Sequence, residues 1–382
     1  MKAKTKKIKI IVAWCFIFII LFGAVAGSSL MVANAESVSL PAKAMCVVET
    51  SSNRVLYEKN KSEIMPMAST TKIMTAITAI ENCKDLDEVF EVSPKSIGVS
   101  GTSIYLRKGE EMSTRDLLYG LMLVSGNDAS VAIAEHISGS TKDFVALMNK
   151  TARKIGAFDS HFDNTHGLDS KTHYTSAYDL AIITSYALKN PTFKEIVSTQ
   201  NAKIVNSAGK TRYLRNKNKL LFSLDGCCGV KTGFTNDAGR CLVSACEREG
   251  MTVVCVVLNC GPMFEESKTL LEKAMNEYKL KDLTQFCQIP TSLPVKDGRE
   301  ESVKIERRGE YLYPLKDGEE KRVSCVVKMP DSVLAPVEKN QEIGEVKIFI
   351  DNDLHFTQKI YTINFVRSKS IFAKIKEMIE KW

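Results

Sequence analysis

The chain has 382 residues, of which 44% are hydrophobic, 25% charged and 8% aromatic. That much apolar surface excludes disorder as the main state, because burying it offsets the entropy of ordering. The net charge of +7 sits at one end: Lys2, Lys4, Lys6, Lys7 and Lys9 precede the first acid, Glu36, and the remainder is nearly neutral. With no clustered basic face, no nucleic-acid partner is expected, and the length points to two domains.

Residues 10–26 are almost wholly apolar, and Ala33-Asn34-Ala35 follows. A basic start, an apolar run and a small-residue site read as a secretory signal cleaved after Ala35, so residues 1–35 are set aside from the fold. An uncleaved membrane anchor is the alternative. Either way the rest is expected to act on or beyond the extracytoplasmic face of the membrane.

Short strands are expected at 44–48 and 54–57, turning at Ser51-Ser52-Asn53. Helices follow: one after Ser69 with Ile73, Met74, Ala76, Ile77 and Ile80 on one stripe, then 114–124, 127–139, 141–155 and 176–188. Strand patterns return at 229–234, 240–247 and 251–258, before a helix at 265–278. Strands opening and closing around helices imply an α/β (α+β) unit, a mixed, mainly antiparallel sheet with helices packed on it, rather than a βαβ alternation. Residues 36–282 form this unit. From 283 to 366 five prolines separate short alternating runs, which reads as a small all-β domain, with 346–350 and 356–365 pairing around Asp351-Asn352-Asp353. Residues 367–382 form an amphipathic helix carrying Ile371, Phe372, Ile375, Met378, Ile379 and Trp382 on one face. It suits a membrane surface, the alternatives being docking on the protein itself or a dimer helix.

Eleven cysteines lack framework spacing, and most are expected to be buried thiols acting as small hydrophobes. No Cys-x-x-Cys or His-x-x-x-His ligand pair exists, so neither a metal nor another cofactor is expected.

Three short motifs carry chemistry. Ser69-Thr70-Thr71-Lys72 opens a helix, where residues three apart are neighbours, so the lysine amine stands beside the serine hydroxyl. A desolvated lysine near another cation can be neutral enough to take the serine proton. The helix N-terminus offers free N–H groups to an oxyanion. Ser-x-x-Lys alone is weak evidence, arising about twice by chance in this length. Ser207-Ala208-Gly209-Lys210 is such a decoy, in a polar stretch without an apolar stripe. Ser125-Gly126-Asn127 lies between two helices and also reads as a helix cap. Lys231-Thr232-Gly233 falls inside a strand, where glycine suits a backbone closely approached by something running alongside.

In this order the three motifs are the active-serine signature of penicillin-binding proteins and serine β-lactamases. The surrounding residues narrow it: Met67 to Thr75, Ser125-Gly126-Asn127-Asp128-Ala129, Asn164-Thr165-His166-Gly167-Leu168, His173-Tyr174-Thr175-Ser176-Ala177, the 216–221 stretch and Gly229 to Thr235. The chain resembles the low-molecular-mass D-alanyl-D-alanine carboxypeptidases over roughly residues 36–365. The resemblance implies the penicillin-binding/β-lactamase-like transpeptidase fold and removal of the terminal D-alanine from peptidoglycan stem peptides. It also implies covalent inhibition by β-lactams.

By the same resemblance, Ser69 is the acylated nucleophile and Lys72 its general base. Ser125 relays protons towards the leaving amine, Asn127 holds the substrate backbone, and Lys231 supplies positive charge. Thr232 and Lys217 recognise the terminal carboxylate, Gly233 admits the substrate, and the N–H groups of Ser69 and Phe234 form the oxyanion hole. Phe234 stands where related enzymes often have histidine, and only its backbone is needed. His166 is expected to be structural. The rivals are a β-lactamase, whose Glu-x-x-Leu-Asn loop is missing between 128 and 228, a transpeptidase, and an inactive wall-binding scaffold.

Overall fold

The computed structural model describes residues 41–380. The signal read over residues 1–35 and Trp382 of the terminal stripe lie outside the described residues. In chain order, β1 (Ala44–Glu49) and β2 (Val55–Lys59) form a hairpin, and a 3₁₀ turn at Ala68–Thr71 leads into α1 (Lys72–Asn82). A small hairpin of β3 (Val89–Glu91) and β4 (Glu111–Ser113) precedes four helices, α2 (Thr114–Leu123), α3 (Asn127–Ser138), α4 (Thr141–Lys154) and α5 (Ala177–Leu188). Then come α6 (Pro191–Ser198), the hairpin β5 (Asn201–Val205) and β6 (Thr211–Arg215), and the strands β7 (Cys227–Thr235), β8 (Gly239–Arg248) and β9 (Met251–Leu258). The helix α7 (Met263–Glu277) closes this part.

The sheet runs β2-β1-β9-β8-β7, every pair antiparallel, so β7 ends on an outer edge. Side chains alternate across it into two cores. Cys46 and Val48 of β1 and Val254 and Val256 of β9 join the core under α1–α5, while Met45 and Val47, Val253 and Cys255 join Leu270, Leu271 and Ala274 of α7. Covered on both faces, these strands read as continuous apolar runs. Each fully buried aliphatic side chain contributes about 2 kcal/mol. Three helix starts are set by Ser-x-x-Asp: the hydroxyls of Ser113, Ser140 and Ser176 accept from the N–H groups of Asp116, Asp143 and Asp179.

The two small hairpins and α6 escape the sequence pattern. Three-residue strands such as β3, with Val89 56% exposed, give no alternation long enough to read. The discarded Ser207–Lys210 motif forms the turn between β5 and β6.

The remainder is mostly strand. β10 (Tyr278–Asp282) pairs with β13 (Leu312–Lys316). A six-stranded sheet orders β14 (Val323–Lys328), β16 (Glu342–Ile350), β17 (Asp353–Thr362), β12 (Ser302–Arg307), β11 (Ser292–Lys296) and β15 (Val333–Leu334). Asp351 and Asn352 join β16 to β17 with φ of 51° and 71°, the two left-handed positions of a type I′ turn. Cys46, Cys228, Cys241, Cys246, Cys255 and Cys260 are buried free thiols, as expected. Cys287 and Cys325, however, are joined as a disulfide across 38 residues, which their unremarkable spacing concealed. Arg54, at the start of β2, makes a two-pronged pair with Glu319 at 2.8 Å and lies over the rings of Tyr278 and Tyr313, 5.1 and 5.2 Å away. The last helix, α8 (Ile371–Glu380), begins at Ser370, whose hydroxyl accepts from Ala373 N–H.

Candidate active site

The turn carrying Ser69 is pressed into place from two sides. Ala68, just before it, has φ of 49° and is buried. Gly167 lies so close that a Cβ there would come within 1.9 Å of the Ala68 carbonyl oxygen, and a Cβ on Gly233 would stand 3.1 Å from Ser69 N. Gly167 is therefore required by contact with the serine turn, and Gly233 packs tightly against it, with edge strand β7 alongside. Ser69 itself is half-buried and reachable.

One turn on, Lys72 is fully buried. Its Nζ is 2.6 Å from the His166 carbonyl oxygen, 2.7 Å from Asn127 Oδ1 and 3.1 Å from Ser69 Oγ. Burial pushes its pKa well below the ordinary lysine value, and the charges of Lys231 and Lys217 push it further, against a weaker opposing pull from Asp128. A neutral amine has two hydrogens and one lone pair. The carbonyl of His166 and the amide oxygen of Asn127 can only accept, so they take the two hydrogens. The lone pair is left for the hydroxyl of Ser69, which then donates to Nζ. That is the geometry of a base poised on a nucleophile.

Lys231 on β7 is also buried, and its Nζ donates to the Thr232 carbonyl at 3.0 Å. Burial first, then the charge of Lys217, brings its pKa down to about 7. Lys217 is exposed, but its backbone is pinned: its N–H donates to Leu123 O, while the amides of Asn216 and Asn218 reach the carbonyls of Thr199 and Gly229. Thr232 is half-buried and Phe234 is 64% exposed, both on β7. Ser125 has φ of 69° and its hydroxyl has no hydrogen-bond partner among the described residues.

The structure thus brings Ser69, Lys72 and Asn127 into direct contact, with Lys231 and Lys217 close enough to act on Lys72 by charge. Asn127 holds Lys72 with its oxygen and Ser100 O with its nitrogen, at 2.7 and 2.6 Å. His166 serves Lys72 through its carbonyl, and its imidazole accepts from Leu168 N–H. That ring is held neutral, its pKa lowered to about 4 by burial and by Lys72.

Two positioning features were missed in the sequence. Asp128 accepts from the N–H groups of Ile104 and Leu106 and from Ser103 Oγ at 2.6–3.1 Å. Arg212 takes the carbonyls of Ile104 and Tyr105 from the other side, held in turn by Glu110 at 2.6 Å. The loop beside Asn127 is therefore clamped by both its N–H and its C=O groups. Asp128 had a signal, an acid among apolar helix residues next to the Ser-x-Asn motif. Arg212 had none.

A serine beside a neutralised lysine, at the edge strand of an antiparallel sheet, defines an active-serine acyl-transfer enzyme. The chain belongs to the D-alanyl-D-alanine carboxypeptidase family: the model of that family (Peptidase_S11) matches residues 31–261, and that of the penicillin-binding protein 5 C-terminal domain matches 278–368. It is similar to the Bacillus subtilis D-alanyl-D-alanine carboxypeptidase DacF, 31% identical over 350 residues, 89% of this chain and 90% of the relative. Penicillin-binding protein 5 from Haemophilus influenzae superposes with a TM-score of 0.70 at 26% identity, over 87% of this chain and 99% of that one. The Streptomyces K15 DD-transpeptidase does so at 0.58 and 33%, over 62% and 97%.

Proposed function

We propose that this chain is a serine-type D-alanyl-D-alanine carboxypeptidase and penicillin-binding protein in which Ser69 becomes acylated. The substrate peptide lies along the open edge of β7, whose unpaired backbone groups suit an added strand. Ser69 Oγ attacks the penultimate carbonyl as its proton passes to Lys72 Nζ. The resulting oxyanion is met by the N–H groups of Ser69 and Phe234. The C–N bond breaks as Ser125 gives its proton to the departing D-alanine amine and regains the one held by Lys72, and water then cleaves the ester, its hydroxyl going to the carbonyl carbon and its other proton to Ser69 Oγ. Thr232 and Lys217 receive the terminal carboxylate, a role for which hydroxyl and cationic donors are suited, while Lys231 supplies positive charge near Ser125 and Lys72.

The three-way contact of Lys72 Nζ carries this reading. Labelled penicillin is expected to attach to Ser69, and Ser69→Ala is expected to abolish labelling, by about 10⁴-fold or more. Mass spectrometry of a D-Ala-D-Ala peptide should show loss of one D-alanine. A cross-linked product would identify a transpeptidase instead, and label remaining on Ser69→Ala would refute the assignment.

Residues 36–282 and 283–366 would serve as the catalytic and β-rich domains, with export directed by residues 1–35 and a role in cell-wall synthesis and cell shape. Membrane contact would come from α8, where Ile371, Phe372, Ile375, Met378 and Ile379 are 49–86% exposed. No helix among the described residues is long and apolar enough to cross a membrane, so this would be a surface anchor. Removing residues 367–382 is expected to abolish co-sedimentation with anionic phospholipid vesicles; retained binding would rule the anchor out.

A further inference from the structure

Ala68 occupies a backbone region that L-residues adopt at a cost of about 1 kcal/mol or more. Something must hold it there, because its carbonyl and the Ser69 that follows move together. The Ala68 carbonyl oxygen accepts from Thr71 Oγ1 at 2.8 Å. Thr71 Oγ1 in turn lies 2.8 Å from Nε2 of His173, 102 residues further along the chain. All three residues are at most 3% exposed.

The protons in this chain of contacts follow by elimination. The backbone N–H of Asp163 can only donate, and it points at His173 Nδ1 from 3.0 Å, so Nδ1 presents its lone pair. A neutral ring then carries its proton on Nε2 and donates it to Thr71 Oγ1. The threonine hydrogen is thereby free for the Ala68 oxygen. Phe162 packs edge-on against the ring, its centroid 5.9 Å away.

We infer that His173 is a positioning residue for the nucleophile: through Thr71 it holds the Ala68 carbonyl, and with it the left-handed turn that presents Ser69 to Lys72. This rests on Ser69 being the acylated residue. The relay needs the neutral ring in one tautomer, since a proton on Nδ1 would face the N–H of Asp163. The charged and titratable groups around it are Asp163, His161, Lys72 and His166. Burial, helped by His161 and Lys72 and opposed by Asp163, lowers the ring's pKa to about 4.

The test uses the full chain and labelled penicillin, with the modified residue mapped by mass spectrometry. A glutamine at 173 can bring an amide N–H to where Nε2 stood, whereas an asparagine is too short. Thr71→Val and His173→Asn are expected to slow acylation of Ser69 about tenfold or more, and His173→Gln to stay within about threefold of the parent. Imidazole ¹⁵N shifts of the parent protein should show Nε2 protonated and Nδ1 bare at neutral pH. The inference is overturned by wild-type rates in Thr71→Val and His173→Asn, by a His173→Gln variant as slow as His173→Asn, or by an Nδ1–H tautomer. A ring titrating near the ordinary 6.5 would overturn it as well. If the parent protein carries no label on Ser69, the functional reading falls and this inference with it; normal parent labelling with unaltered variants removes the inference alone.

Discussion

Two groups of cations in this molecule are treated in opposite ways. In the cleft, Lys72 and Lys231 are buried and Lys217 is exposed, and none of the three forms an ion pair with a carboxylate among the described residues. Beside β13, each cation has a carboxylate partner: Arg54 pairs with Glu319 at 2.8 Å, which also takes Arg322 at 2.7 Å, and Lys316 pairs with Glu277 at 2.7 Å, which also takes Lys273 at 3.8 Å. Burial alone would push the Glu319 carboxyl up, yet Arg54 holds it below the usual range. The first cluster is electrostatically unfavourable, and the strain appears as depressed lysine pKa values that keep an amine neutral for proton transfer. The second joins the N-terminal hairpin to the later strands. Unpaired charge serves chemistry here, and paired charge serves cohesion.

That contrast breaks most visibly at Lys231. In Lys231→Met the rate of penicillin acylation is expected to fall about 10²–10³-fold, as for loss of other electrostatic stabilisers. Its pH profile should shift too. The Lys231 charge lowers the pKa of Lys72, so removing it raises that pKa and moves the acid limb of acylation to higher pH. Stability should go the other way. Because the folded-state pKa of Lys231 is near 7, the unfolded chain binds more protons between there and the ordinary 10.5, and the parent gains stability as pH rises through that window. The methionine variant should lose this slope and, at neutral pH, melt higher by an amount worth at most about 4 kcal/mol. A lower melting temperature with an unshifted acid limb would refute the contrast.

A smaller effect tests cohesion in the β-rich part. The Cys287–Cys325 bond closes 38 residues, so its reduction is expected to cost about 4 kcal/mol by loop entropy. Calorimetry with and without reductant should show the loss while penicillin labelling of the native protein persists. Smaller still, Arg54→Ala leaves Glu319 without its main partner, and a loss of about 2–3 kcal/mol is expected for so sheltered a pair. Acylation should be unaffected. A fall in acylation matching that of Lys231→Met would show that the junction also shapes the cleft.

Much of this was legible in the chain. Ser69, Lys72, Asn127 and Lys231, which the structure gathers, stand in short motifs because they sit at the starts of helices and along one strand, where spacing maps directly onto geometry. The carbonyl of His166 was not legible, since any residue can offer a carbonyl. Nor was Arg212, whose partners Glu110 and the carbonyls of Ile104 and Tyr105 are about a hundred residues away. The disulfide failed for the same reason: Cys287 and Cys325 meet only once the strands around them have folded.

The amino-acid order alone determined most of the helices, the strands of the main sheet, and the pairing of Ser69 with Lys72 one helical turn away. These depend on periodicity and on neighbours within a few residues, which a linear chain records. Only the tertiary structure decided that the lysine amine has two acceptors and one hydroxyl around it, that Gly167 must yield to the serine turn, and which charges pair. Those outcomes depend on desolvation and on atoms from distant segments meeting within about 3 Å, the range over which hydrogen bonds form.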